Sequence, residues 1–293
     1  MSVSTHPGAA AAFTCHPCFD EAAHARVGRV HLPVAPRCPI RCGYCDRRTC
    51  AHLGTDRPGW AARVLTSEQA LALVERLVRE QPADAPPFVV GVAGPGEPLA
   101  NEATFETLAL VHQAHPTLVK CLSTNGLLLE RSLPRLLAAG VSHLTVTVNA
   151  CRAEVGAAVY DWVRDAGRTY RGPDGAALLI ERQIAGIRAA LAAGLALKVN
   201  TVLVPGVNDA HVAELSRVLA DLGVRLMNLV PLIPAGRMAG QRAPTCEELR
   251  AARAACEAWL PQFRLCEQCR ADVVRFPGRI GSPQEPVTIR NPG

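Results

Sequence analysis

The chain has 293 residues, of which 49% are hydrophobic and 19% are charged, and its formal net charge is +5. A chain of this length is typically one large domain or two, and this composition excludes bulk intrinsic disorder. No run of about 18 uncharged apolar residues is present, which excludes a transmembrane helix. The modest charge, without a basic tail or an aromatic stripe, argues against nucleic-acid binding.

The amino-terminal residues carry no export signal. Residues 1–13 have neither a basic segment nor a true apolar run, so we expect no signal peptide and a cytoplasmic location. The chain contains twelve cysteines, and without export these argue against a disulfide framework. Metal ligation, catalysis and core packing remain as explanations for the cysteines.

Six short apolar runs predict the β-strands of the protein. They are rich in β-branched residues and are separated mostly by segments with helical periodicity. The runs cover residues 29–34, 88–93, 119–123, 143–148, 197–204 and 226–233.

Helix starts can be recognised between the strands. Thr66 and Thr245 each stand three residues before a Gln or Glu, which is the spacing of a capping box. Each is followed by apolar residues at helical spacing, and the second helix would carry Cys256 and Trp259 on its buried face. A third helix is predicted over residues 178–193.

Alternating strands and helices with continuous apolar strands predict a parallel sheet covered by helices. Six units are fewer than the eight of a closed barrel, so we expect a partial, open (β/α)6 barrel of the TIM type, with a doubly wound sheet as the alternative. In both folds, ligands bind beyond the carboxyl ends of the strands. Residues of ligand type follow these ends: Cys38, Cys42, Cys45, Cys50, Glu97, Cys121, Ser123, Thr124, Asn125 and Asn149.

The most specific motif is Cys38-x3-Cys42-x2-Cys45, which places three thiols on one strand-to-helix loop. Three thiolates at this spacing bind three irons of one [4Fe–4S] cube and leave the fourth iron open to a ligand. Tyr44 would cover the adenine of a cofactor bound there. A zinc knuckle is the alternative, although structural zinc sites prefer four ligands arranged as two pairs.

Cys-x3-Cys-x-aromatic-Cys in a partial barrel resembles the signature of the radical S-adenosylmethionine (SAM) superfamily. The resemblance implies that SAM chelates the open iron and is cleaved reductively to a 5′-deoxyadenosyl radical. Residues 94–98 resemble the Gly-Gly-Glu-Pro loop that binds the SAM amino group, with Glu97 at the acidic position and Pro95 in place of the first glycine. Further SAM contacts are expected at the strand ends, although turn capping explains them equally well: Ser123, Thr124, Asn125 and Asn149.

A longer set of segments resembles the NifB family, the radical SAM proteins of nitrogenase iron–molybdenum-cofactor biosynthesis. The resemblance spans residues 16–277, and its segments are 16–19, 31–50, 91–101, 121–126, 181–183, 198–209, 241–245 and 266–272.

The family resemblance implies three [4Fe–4S] clusters, each with three protein ligands and one labile iron. The catalytic cluster would use Cys38, Cys42 and Cys45. The ligands of the first precursor cluster would be His31, Cys50 and Cys121, and those of the second would be Cys18, Cys266 and Cys269. An imidazole binds iron more weakly than a thiolate, which would help the release of a cluster that is consumed.

The resemblance also implies the reaction and its partners. One SAM would methylate a sulfide of a precursor cluster, and the radical from a second SAM would abstract hydrogen from that methyl group. The two precursors would then fuse around the carbide, with an added sulfur, into an [8Fe–9S–C] cluster. Expected partners are an iron–sulfur cluster donor, a reductant, a cluster carrier and the nitrogenase cofactor assembly scaffold.

The predicted organisation has four parts. An extension at 1–28 carries one ligand, a barrel covers 29–260, a Cys-x2-Cys segment covers 261–280, and a loose tail covers 281–293. We expect a stand-alone form without the carboxyl-terminal carrier domain of longer family members.

Two other functions remain open at this level. A radical SAM peptide maturase with auxiliary clusters would explain Cys266 and Cys269, but not His31, Cys50 and Cys121 at the barrel mouth. A non-catalytic iron–sulfur scaffold would need no SAM loop. Iron content and SAM cleavage after anaerobic reconstitution distinguish these functions.

Overall fold

A curved sheet of parallel strands forms the centre of the protein in a computed structural model that describes residues 15–46, 58–82 and 84–277. The strands are β1 (Arg29–His31), β2 (Ile40–Cys42), β3 (Val89–Val92), β4 (Val119–Thr124), β5 (Val141–Thr147), β6 (Tyr160–Asp165), β7 (Arg168–Tyr170), β8 (Ala196–Leu203), β9 (Met227–Pro231) and β10 (Val274–Arg275). The main sheet has the order β10-β1-β3-β4-β5-β8-β9, and all its neighbours are parallel except β10 against β1. The prediction of a six-unit partial barrel is therefore confirmed.

Helices cover the outside of this sheet. They are α1 (Glu21–His24), α2 (Ser67–Glu80), α3 (Glu102–Ala114), α4 (Leu129–Ala138), α5 (Ala153–Val159), α6 (Gly172–Ala192), α7 (Val212–Asp221) and α8 (Cys246–Glu257). Both predicted capping boxes are present at α2 and α8, where the threonine hydroxyls of Thr66 and Thr245 accept hydrogen bonds from backbone N–H groups of the first turn. Among the described residues, no helix combines the length and apolarity that a membrane span requires.

A second sheet was not predicted from the sequence. It has the order β2-β6-β7, and it pairs Ile40 with Val163 and Cys42 with Tyr160. A two-residue turn at Ala166 and Gly167, with φ of 47° and 78°, connects β6 to β7. Both residues of such a turn need positive φ, which alanine rarely adopts. The sheet anchors the loop that carries the three-cysteine motif.

The core lies between the sheet and the helices that cover it. Cys256 is fully buried, as predicted, whereas Trp259 is 49% exposed and its predicted place on a buried face is wrong. Helix α8 ends at Glu257, and Trp259 lies in the turn that follows, outside the face of the helix. Gly186 allows α6 to approach α4, because a Cβ at Gly186 would lie 2.7 Å from the Leu129 Cβ.

Replacing Gly186 with Val is expected to lower the free energy of unfolding by roughly 2 kcal/mol, because overpacking forces α4 and α6 apart. Chemical denaturation of the cluster-free protein measures this loss. Gly240→Val is the matched control, since a Cβ at Gly240 meets no atom within 4 Å. Equal stability of the two variants would show that the approach of the helices is not tight.

Candidate active site

One cavity of about 350 Å³ opens at the carboxyl ends of the parallel strands. Side chains from both ends of the described chain and from the barrel line this cavity. Eight of the nine predicted iron ligands line it: Cys18, His31, Cys38, Cys42, Cys45, Cys121, Cys266 and Cys269. Cys50 and the predicted tail at 281–293 lie outside the described residues.

The three-cysteine loop is held by backbone hydrogen bonds. Gly43 N–H donates to the Val159 carbonyl at 2.7 Å, and Cys45 N–H donates to the Cys42 carbonyl at 3.0 Å. The Asn125 amide nitrogen lies 3.9 Å from Cys38 Sγ. The loop therefore presents three half-buried thiols to the cavity on a fixed backbone.

Tyr44 also lines the cavity, and Asn149 fixes its hydroxyl. The Asn149 amide donates to the hydroxyl groups of Tyr44 at 2.9 Å and Tyr160 at 3.1 Å, while its oxygen accepts from Val202 N–H at 2.9 Å. Asn149 is fully buried, and both its amide hydrogens are used. Asn149 therefore supports Tyr44 in the described structure, and the cofactor contact expected of it from the sequence stays a prediction.

The loop after β3 runs beside the segment that leads into Cys38. Glu97 N–H donates to the Arg37 carbonyl at 2.9 Å. A Cβ at Gly96 would lie 2.8 Å from the Ala35 carbonyl oxygen. Only glycine permits this approach. The glycine that precedes the acidic residue is thus required by the packing of two backbones.

The Glu97 carboxylate joins the β3 loop to the end of β4. It accepts hydrogen bonds from the Thr124 hydroxyl at 2.6 Å, Asn125 N–H at 2.7 Å and Leu99 N–H at 3.1 Å. Burial raises the pKa of Glu97 to about 7, although the hydrogen bonds from Thr124, Asn125 and Leu99 oppose the shift. Thr124 and Asn125 are engaged with Glu97, and Ser123 lies half-buried on the same wall.

His31 and Cys121 lie together on the parallel strands β1 and β4, on either side of β3. A Cβ at Gly91 of β3 would lie 2.7 Å from Cys121 Sγ and 3.7 Å from His31 Nε2. His31 Nδ1 lies 3.1 Å from the Arg270 carbonyl, so it carries the proton and Nε2 keeps a lone pair. Burial lowers the pKa of His31 to about 4, which keeps the imidazole neutral.

Cys18, Cys266 and Cys269 share a wall with two buried cations that the sequence analysis missed. Arg29 Nη2 lies 3.3 Å from Cys269 Sγ and pairs with Glu267. The Lys198 ammonium donates to the Cys18 carbonyl at 2.7 Å. Burial raises the pKa of the Cys18 thiol, and Lys198 and Arg29 oppose this shift. A lysine within the apolar run 197–204 was the available signal for a buried charge.

Three further side chains of ligand type cluster outside this cavity. The Cys151 thiol lies 3.3 Å from His211 Nε2, and His211 Nδ1 lies 3.2 Å from a Glu214 oxygen. His211 Nε2 already accepts from Cys151 N–H at 3.0 Å, and Arg152 pairs with Glu214. These side chains thus bind one another, and their hydrogen bonds connect the start of α7 to the loop that follows β5.

Comparison with known proteins supports these observations. The model of the radical SAM superfamily matches residues 32–219. The FeMo cofactor biosynthesis protein NifB of Methanocaldococcus infernus is 46% identical over 259 residues, which are 88% of this chain and 84% of that protein. The protein of that name from Klebsiella pneumoniae is 42% identical over 277 residues, which are 92% of this chain and 58% of that protein.

Solved structures share the fold at low sequence identity. A radical SAM methyltransferase from Sphaerobacter thermophilus has a TM-score of 0.54 and 22% identity over 80% of this chain and 64% of that one. Streptococcus suis SuiB, solved with S-adenosylmethionine, has a TM-score of 0.57 and 11% identity over 83% of this chain and 52% of that one.

The buried carboxyl of Glu97 is expected to make stability depend on pH. Its pKa is about 7 in the folded protein and ordinarily 4.5, so folding takes up a proton between these values. The free energy of unfolding should therefore fall as the pH rises from about 4.5 to 7. Glu97→Gln cannot titrate and should lack this component. Denaturant titrations of both proteins across this range measure the difference, and parallel pH curves would contradict the assignment.

Proposed function

This chain belongs to the radical SAM superfamily and, within it, to the NifB family, and we propose that it acts as a radical SAM enzyme in the biosynthesis of the nitrogenase iron–molybdenum cofactor. Its substrates are two [4Fe–4S] clusters, SAM and an added sulfur, and its product is an [8Fe–9S–C] cluster. The observation that carries this proposal is that residues of all three predicted ligand sets line the same cavity.

The residues of the three-cysteine loop fit the catalytic cluster. Cys38, Cys42 and Cys45 offer three thiols from one short loop on one cavity wall. A cluster held by these three cysteines, with SAM, would supply reductive cleavage to a 5′-deoxyadenosyl radical. The pairing of β2 with β6 fixes the loop, so the thiols require little rearrangement to bind metal.

SAM would be oriented by the walls beside this loop. Tyr44, held through Asn149, offers a ring for the adenine. Glu97 accepts hydrogen bonds from the Thr124 hydroxyl and the Asn125 backbone N–H, and it is the group suited to the SAM amino nitrogen. Because Glu97 and Asn149 are buried and hydrogen-bonded, they would hold this part of the site preorganised for SAM.

The substrate clusters would occupy the remaining ligand sets. His31 and Cys121, with Cys50, would bind the first, and Cys18, Cys266 and Cys269 would bind the second. Arg29 and Lys198 lie beside the second set and would offset the negative charge of its thiolates and sulfides. Both sets line one cavity, which supports fusion of clusters that face each other.

The family membership also supports the remaining expectations. We include in the proposal a cytoplasmic location and partners that donate iron–sulfur clusters, supply electrons, carry the product and accept it on the cofactor assembly scaffold.

Replacement of Cys42 with Ala is expected to reduce formation of 5′-deoxyadenosine to background, because the catalytic cluster would lose one of its three protein ligands. The assay is anaerobic reconstitution followed by dithionite-driven SAM cleavage. Cys246→Ala is the matched control, since Cys246 is exposed and does not line the cavity. Robust cleavage by the Cys42 variant would refute the assigned site.

Gly91→Ala is expected to lower the iron content by about four atoms per chain, the content of one [4Fe–4S] cluster. The new Cβ would displace the Cys121 thiol, which can rotate away and leave the fold intact. Iron and sulfide analysis after reconstitution measures the loss, and the melting temperature of the cluster-free protein should stay within a few degrees of wild type. Gly240→Ala is the control, and a full complement of iron in Gly91→Ala would argue against a cluster at His31 and Cys121.

A further inference from the structure

His16 is a buried hydrogen-bond donor that has no acceptor in the described protein. The ring is 2% exposed and lines the cavity. Its Nδ1 accepts a hydrogen bond from Cys18 N–H at 3.1 Å. A neutral imidazole that accepts at Nδ1 carries its proton on Nε2. Among the described residues, Nε2 is buried without any hydrogen-bond partner.

The ring cannot easily turn away from this position. It packs edge-on against Phe19, with ring centroids 4.7 Å apart, and lies 4.7 Å from the His143 ring. A buried N–H without an acceptor destabilises the protein, because the group has lost its hydrogen bond to water. A ring locked in this state is therefore prepared for an acceptor that arrives with a ligand.

The chemistry of the neighbouring wall selects the acceptor. His16 lies two residues before Cys18, and Cys266 and Cys269 line the same cavity. Glu267, a carboxylate on this wall, is already engaged by Arg29 and Arg275. An iron–sulfur cluster bound to these thiols would bring sulfides, which are electron-rich hydrogen-bond acceptors, and would turn the thiols into iron-bound thiolates.

We propose that His16 Nε2–H donates a hydrogen bond to a sulfur atom of the iron–sulfur substrate bound by Cys18, Cys266 and Cys269. The identity of this ligand rests on the proposed function. His16 is a positioning residue: the N–H···S bond withdraws charge from the cluster, which raises its reduction potential and slows its loss.

Two conservative variants distinguish the roles of the two nitrogen atoms of the ring. In His16→Asn the side-chain oxygen can still accept from Cys18 N–H, but no donor reaches the position of Nε2. In His16→Gln the amide nitrogen replaces Nε2. His16→Phe keeps the ring packing against Phe19 and removes both polar atoms.

The test uses the full chain with Cys42→Ala and Cys121→Ala. In this parent protein only the set of Cys18, Cys266 and Cys269 keeps all its protein ligands. After anaerobic reconstitution, iron content, the reduction potential from a spectroscopic titration and the rate of iron loss to a chelator are measured. We expect His16→Asn and His16→Phe to shift the potential to more negative values and to lose iron several-fold faster. His16→Gln should remain close to the parent.

Three outcomes overturn the proposal. Unchanged potential and iron retention in His16→Asn and His16→Phe would exclude the hydrogen bond. A strong hyperfine coupling to a nitrogen of His16 would show that His16 binds iron directly. Absence of iron from the parent would overturn the proposed function as well, whereas iron with unchanged potentials would overturn only the role of His16.

Discussion

The arrangement of the cavity depends on one buried carboxylate. Glu97 accepts hydrogen bonds from its own turn and from the end of β4, while its backbone pairs with the segment that enters the three-cysteine loop. Three segments of the chain are thus joined through a single residue. A buried carboxylate is tolerated only when its oxygens are satisfied, so the strand ends and the loop must assemble together.

Charge is distributed unevenly around the cavity. Arg29 and Lys198 are almost fully buried on one wall, where a carboxylate, a backbone carbonyl and the rings of Phe19 and Phe263 stabilise them. The wall beside Cys38 carries the Glu97 carboxyl among amide and hydroxyl groups. An anionic ligand is therefore favoured on the cationic wall, and the wall of Glu97 favours a cationic group.

The six-strand barrel and the three-cysteine loop could be predicted from the sequence, because continuous apolar runs mark buried parallel strands and the spacing of the three cysteines is local. The two other ligand sets join residues far apart in the chain, and only the resemblance to a known family implied them. The β6–β7 hairpin was missed because Ala166 is not a residue expected at positive φ. The hydrogen bond from Asn149 to Tyr44 depends on packing between distant segments. The same holds for the burial of His16 Nε2, which has no hydrogen-bond partner among the described residues. No periodicity or spacing encodes such contacts.

The last described strand, β10, closes the open edge of β1 in the antiparallel direction. The same segment brings the Arg270 carbonyl to His31 and Cys269 to Arg29, a residue 240 positions earlier in the chain. Contacts of such high sequence separation form late in folding, because the loop between them must first be closed. During synthesis the barrel strands can therefore assemble before this part of the cavity wall exists. A ligand that needs this wall can then bind only to chains that have already been translated through β10.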